Sequence, residues 1–450
     1  MTNRSRSTLG AYIAVTTLFF AWGFITSLVD PLVAAVKGIF TLSDVEAQLA
    51  AFAFFIAYGV MSFPAARLLN RYKSVPSIQL ALGMMIAGCL LMLLAANIQV
   101  FPIVLLGLFV LASGITVLQV AANPLSAALG DPRYSHLRLT LSQTFNSFGT
   151  FLGPLLGAHL FLAGVEVKPG AAVDPAAREA ALAGIDSAYF WICGLIAALV
   201  LFFYLARGVV SRAAPDTADH GRGIGALVGE AFASRWAVIG GLAIFLYVGA
   251  EVAIGTQMAL FLNSDAIWGQ SDAAFGVPLL GAAMGSDGVP GVSLQEAGKA
   301  VAFYWGGAMV GRAIGSALLG VVRASLLLAA FTATAALLCL YVVAVGGVDA
   351  GFVALSIGLF NSIMFPVIFT LTLERSTASE EATSGLLCTA ITGGAFVPLL
   401  VGLVSQSAGY ATAFVVPALC YGVLCLFALA TTRAAPAEGR GRAAGAIAGH

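Results

Sequence analysis

Ala11-Tyr-Ile-Ala-Val-Thr-Thr-Leu-Phe-Phe-Ala-Trp-Gly-Phe-Ile-Thr-Ser-Leu-Val-Asp30-Pro-Leu-Val-Ala-Ala-Val36 reads as one apolar helix carrying a single charge, Asp30. It exceeds the roughly 20 residues that a helix needs to cross the hydrocarbon core of a bilayer. An ionised carboxylate at that depth costs about 3 kcal/mol or more, so such groups mostly line ion or substrate pathways. Binding a proton removes the charge and its cost. Asp30 is therefore the first candidate for an ion-coupling group. Pro31 beside it lacks an N–H and loosens the helix locally.

Working outward, the same apolar reading repeats along the chain. Of 450 residues, 60% are hydrophobic and 9% charged, against roughly 25% charged in soluble domains. The composition defines an integral membrane protein. Spans are predicted at 12–37, 46–69, 76–97, 100–128, 140–163, 185–206, 236–262, 297–320, 325–346, 350–373, 384–407 and 411–432. Alternation of period two is absent, which excludes a β-barrel and leaves an all-α protein of twelve transmembrane helices. The net charge of zero offers no basic surplus for a nucleic acid. Fifty-one glycines suit helices that pack backbone to backbone in lipid. The six cysteines lie in apolar stretches without a Cys-x-x-Cys pair, so they read as packing residues, and no metal site is expected.

Lysine and arginine set the orientation. With the N-terminus inside, Arg4, Arg6, Arg67, Arg71, Lys73, Arg133, Arg138, Arg207, Arg212, Arg222, Arg235, Arg323, Arg375, Arg433, Arg440 and Arg442 fall at inner ends, while Lys37, Lys168, Arg178 and Lys299 fall outside. This asymmetry predicts both termini in the cytoplasm. No small-residue cleavage site ends the first run, so it is expected to be retained. The organisation predicted is an N-terminal six-helix half (1–207), a polar cytoplasmic linker (208–235), a C-terminal half (236–432) and a disordered tail (433–450). Loops 164–184 and 263–296 are expected outside. The halves echo each other: Gly149-Thr-Phe-Leu-Gly-Pro154-Leu-Leu recurs as Gly393-Gly-Ala-Phe-Val-Pro398-Leu-Leu. Two six-helix halves related along the membrane normal place a substrate site at midplane between them.

Polar side chains deep in the spans are few and clustered. They include Gln119, Asn123, Gln143, Asn146, Glu251, Gln257 and Asn361 besides Asp30. Carboxamides and carboxylates bind the alternating donors and acceptors of a neutral polyol, and Phe145, Trp22 or Tyr247 could stack on its apolar face. Each has a structural competitor. Asp30 could be tied to hydroxyl or backbone partners, and Glu251 could be paired and architectural. Asn123-Pro124 reads equally as a kink whose freed carbonyl is satisfied by the amide. Gln119, Gln143 and Asn146 could be interhelical hydrogen-bond glue. Arg312, near an inner end, is read as snorkelling or pairing with a loop carboxylate.

Three stretches carry a resemblance: Phe20-Ala-Trp-Gly-Phe24 leading to Asp30-Pro, Gln119-Val-Ala-Ala-Asn-Pro124, and Leu141-Ser-Gln-Thr-Phe-Asn-Ser-Phe-Gly149. With them the chain resembles the fucose:proton symporter family of the major facilitator superfamily, within it the glucose/galactose transporter branch. Tyr247-Val-Gly-Ala-Glu251, Trp305-Gly-Gly-Ala-Met-Val-Gly-Arg312 and Asn361-Ser-Ile-Met-Phe-Pro366 fit that branch too. The resemblance implies sugar uptake driven by an ion gradient across a bacterial inner membrane, with Asp30 in the place of a carboxylate required for coupling. The family's second carboxylate, on the fourth helix, is replaced here by Gln119. Glu251 stands where the fucose symporter has glutamine, and Asn146 maps to a family asparagine.

The expected function is ion-coupled import of a neutral hexose, glucose or galactose, by alternating access. Asp30 is the ion-coupling group. Glu251, Asn146, Gln143, Gln119, Asn123, Asn361 and Gln257 are the substrate-binding candidates. No cofactor is expected beyond the co-transported proton, with Na⁺ the alternative ion, and the chain is expected to act as a monomer. A proton-driven exporter would need a greasier cavity than this carboxamide set suggests. An enzyme would need a metal set or nucleophile–base pair, and neither is evident.

Overall fold

The computed structural model describes residues 3–129, 135–162, 175–213, 223–319, 321–435 and 437. Every regular element among them is helical. The N-terminal elements are α1 (Asn3–Ser27), α2 (Val29–Ile39), α3 (Asp44–Tyr72), α4 (Ser74–Ile98), α5 (Phe101–Ala128), α6 (Ser135–Phe161), α7 (Pro175–Ala213) and α8 (Ile224–Ala233). The chain continues through α9 (Arg235–Asn263), α10 (Pro278–Met284), α11 (Leu294–Leu318), α12 (Ala324–Val345) and α13 (Gly347–Asn361). It ends with α14 (Met364–Arg375), α15 (Glu380–Thr389), α16 (Gly393–Ala408), α17 (Tyr410–Ala413) and α18 (Val415–Arg433).

All twelve predicted spans have a helical counterpart. Ten of them, among the described residues, are long and apolar enough to cross a bilayer. The other two, α6 and α11, have the length at 27 and 25 residues but carry more polar side chains. Those two helices pack on each other across the contact between halves, as do α3 with α16 and α2 with α9.

Three spans are broken where one helix was predicted, each about three residues before a proline. The breaks fall at Leu28 before Pro31, at Ser362-Ile363 before Pro366, and at Phe414 before Pro417. A proline supplies no N–H to the carbonyl four residues back and its ring crowds that turn. Pro64, Pro154 and Pro398 nevertheless lie inside unbroken helices, so packing decides which prolines break a span. The eleventh span also pauses, in a single 3₁₀ turn at Ala390–Thr392.

The linker region contains a short helix, α8, and α7 extends at both ends beyond 185–206, to Pro175 and Ala213. Alanine-rich Pro175-Ala-Ala-Arg-Glu-Ala-Ala181 favours that early start. Most of loop 164–184 and of the tail lies outside the described residues. The segment 263–296, predicted to lie outside, holds a 3₁₀ turn (Ala273–Gly276) and α10.

The halves match in detail. A side chain at Gly149 would strike the backbone of Phe20 and Phe24 on α1, and one at Gly393 would strike the backbone of Phe245 on α9. The repeated glycines thus let α6 and α16 cross α1 and α9 at backbone contact. Capping boxes open the corresponding helices α3 and α11. Ser43 Oγ accepts from Glu46 N and Glu46 from Ser43 N, as do Ser293 and Glu296.

Candidate functional site

The break before Pro31 puts Asp30 in the first turn of α2, where it is 5% exposed. Its Oδ2 accepts a hydrogen bond from the indole N–H of Trp305 on α11, at 2.6 Å. A methyl placed on Gly255 of α9 would lie 3.2 Å from both carboxylate oxygens and 3.1 Å from the Trp305 ring. The carboxylate belongs to the N-terminal half, and two residues of the C-terminal half enclose it.

A second set surrounds Glu251 on α9. Tyr247, one helical turn earlier, donates its hydroxyl to Glu251 Oε1 at 2.7 Å. Tyr304 donates to the Glu251 backbone carbonyl at 3.1 Å, and Asn361 Nδ2 donates to the Tyr304 hydroxyl at 2.5 Å. Asn361 is wholly buried, so its amide holds Tyr304 in place. Glu251 lies close enough to Asp30 and to Arg312 for their charges to act on one another. Asp30 on α2 and Glu251 on α9 thus come from different halves.

The remaining candidates are dispersed around this pair. Gln119 donates to the Tyr58 hydroxyl at 2.9 Å, and Asn146 to the Phe19 carbonyl at 3.0 Å. Gln143 is half-buried, and no hydrogen bond of its amide appears among the described residues. Asn123 is half-buried with its Oδ1 unpartnered. Gln257, 3% exposed, donates to Ser405 Oγ at 3.3 Å and leaves its Oε1 unpartnered. It belongs with a different cluster: Ser405 donates to Asp44 Oδ2 at 3.0 Å, Tyr410 to Asp44 Oδ1 at 3.0 Å, and Lys37 pairs with Asp44. These contacts tie the two halves together at the end predicted to face outside.

Of the stacking candidates, Trp22 and Tyr247 are buried, and Phe145 is 46% exposed. Phe145 lines an apolar groove of about 540 Å³ with Tyr12, Thr16, Phe20 and Leu195, and neither carboxylate contributes to its wall. Among the described residues no three His, Cys, Asp or Glu side chains gather to hold a metal ion.

Arg312 departs from its predicted role. It donates to Ser147 Oγ on α6 at 2.5 Å and to the Ser362 carbonyl at 3.3 Å. That carbonyl is the one Pro366 deprives of its helical donor. A proline four residues on is thus the sequence signal that could have placed the arginine inward. Trp305, Tyr304 and Tyr58 were not singled out as site residues, because nothing local distinguishes them from apolar packing.

A buried aspartate and a half-buried glutamate, contributed by two packed helical halves, suit a membrane transporter built from those halves. The sequence profile of the Major Facilitator Superfamily matches residues 11–385, and the chain belongs to that superfamily. It is a multi-pass membrane transporter and not an enzyme. It is 38% identical over 421 residues to the glucose/galactose transporter of Brucella abortus, covering 93% of each chain. It is 28% identical over 443 residues to the L-fucose-proton symporter of Escherichia coli, covering 94% of each. The crystal structure of the E. coli fucose:proton symporter superposes with a TM-score of 0.67 at 26% identity, over 94% of this chain and 99% of that one.

Proposed function

We propose that this chain imports a neutral hexose, glucose or galactose, together with a proton, by alternating access in a bacterial inner membrane. The supporting observation is the enclosure of Asp30 by the opposite half through Trp305 and Gly255. The names carried by the Brucella and E. coli relatives agree with that reading. Protonation of Asp30 from outside removes a buried charge, and sugar bridging Glu251 and the amides of α5 and α6 favours closure of the outer end. Release of both to the cytoplasm resets the cycle. The two halves (1–207 and 236–432), joined by 208–235 with both termini cytoplasmic, rock as units, and the chain acts as a monomer with no cofactor.

The test is uptake of labelled sugars into proteoliposomes under an imposed pH gradient or an imposed Na⁺ gradient. Accumulation of glucose and galactose with the pH gradient alone is the expected result. Asp30→Asn should abolish accumulation while sparing counterflow exchange. Accumulation driven only by Na⁺, or undiminished in Asp30→Asn, would refute the proton reading.

A further inference from the structure

We propose that Trp305 is the positioning residue through which the C-terminal half senses whether Asp30 carries its proton; this rests on Asp30 being the coupling carboxylate. An indole N–H can only donate. Facing ionised Asp30 it makes a charge-assisted bond, roughly twice as strong as the one it makes to a neutral acid. The bond joins α11 to α2, so it exists only while the halves are closed at that level. One contact therefore links the charge of Asp30 to the relative position of the two halves.

The surroundings leave this role to Trp305. From α9, Gly255 presents no side chain to the carboxylate, and Glu251 opposes its charge. From α11, Tyr304 lies within electrostatic reach of Asp30 but spends its hydroxyl on the Glu251 carbonyl. When the outer end opens, α11 leaves α2, and Asp30 takes a proton from outside. When it closes, the Trp305 N–H takes over Oδ2 as the proton leaves Asp30 for water on the inner side. The indole replaces the proton and limits its return.

Trp305→Phe keeps an aromatic ring and removes the donor. In proteoliposomes its proton-driven accumulation should fall about 10- to 100-fold, the range for one hydrogen bond to a charged group, while counterflow at equal pH is retained. Trp305→His, which restores a ring N–H, should recover part of the accumulation. Gly255→Ala, pressing a methyl against the same carboxylate and ring, is the second variant and should lower accumulation without loss of counterflow. Equal loss of both activities in all three variants would mean packing alone and overturn the proposal. Undiminished accumulation in Trp305→Phe, with Asp30→Asn inactive, would overturn it too. If Asp30→Asn itself accumulates sugar, the coupling role of Asp30 fails instead.

Discussion

Asp30 and Glu251 show how differently two acids within the spans can be held. Among the described residues Asp30 has a single indole donor and the bare backbone of Gly255 against it. Glu251 stands in a lattice of Tyr247, Tyr304 and Asn361 that fixes its rotamer and its own carbonyl. A rigidly held acceptor is what selective binding of a sugar hydroxyl needs, because the geometry is prepaid. Glu251→Gln should therefore raise the half-saturation concentration for sugar by about 10- to 100-fold in counterflow, the range for one hydrogen bond to a charged group. Proton-driven accumulation should persist in that variant at saturating sugar, and a loss of coupling with unchanged affinity would reverse the assignments of the two acids. Asp30 was legible in the sequence because a charge in lipid is costly wherever the chain folds. Trp305 was not, because its partner lies 275 residues away and an indole in an apolar run looks like any other ring.

Among the helices, the broken spans carry the polar chemistry. The break at Leu28 delivers Asp30, and the break at Ser362-Ile363 delivers a free carbonyl to Arg312 and the buried Asn361 to Tyr304. At the predicted outer end, the first turn of α3 meets α16 and α17 through Asp44, Ser405 and Tyr410, with Lys37 from α2 neutralising the aspartate. Removing the Tyr410 hydroxyl withdraws two interhelical bonds, the one it donates to Asp44 and the one it accepts from Lys37, while leaving the Lys37–Asp44 pair intact. Tyr410→Phe should thus open this end more often, read as faster amide exchange in α17 and the first turn of α3 by mass spectrometry. Exchange unchanged in both segments would show that the cluster does not hold the halves closed. Span positions were readable from apolar length, whereas the breaks were not. Pro154 and Pro398 sit in continuous helices, so a proline marks a possible break and the neighbouring helices select which ones occur.

For the whole molecule, the prediction concerns the driving force. With one proton carried per sugar, each unit of pH difference supports about tenfold accumulation, since both correspond to about 1.4 kcal/mol. Accumulation in proteoliposomes should rise as the outside is made more acidic and vanish when a protonophore is added, as measured with labelled glucose. A steeper dependence would indicate more than one proton. The sequence alone determined the membrane class, the span positions and the likeness of the two halves, because apolar length, charge asymmetry and repeated glycines act locally along the chain. It also singled out Asp30 and Glu251, since burying a charge in lipid carries a cost that any fold must meet. Tertiary structure alone decided that Asp30 is closed off by Trp305 and Gly255, that Gln257 joins the Ser405–Asp44 cluster, and that Arg312 turns to α6 and Ser362. Those outcomes depend on hydrogen-bond partners brought together from distant spans, and no local pattern of residues encodes which partners meet.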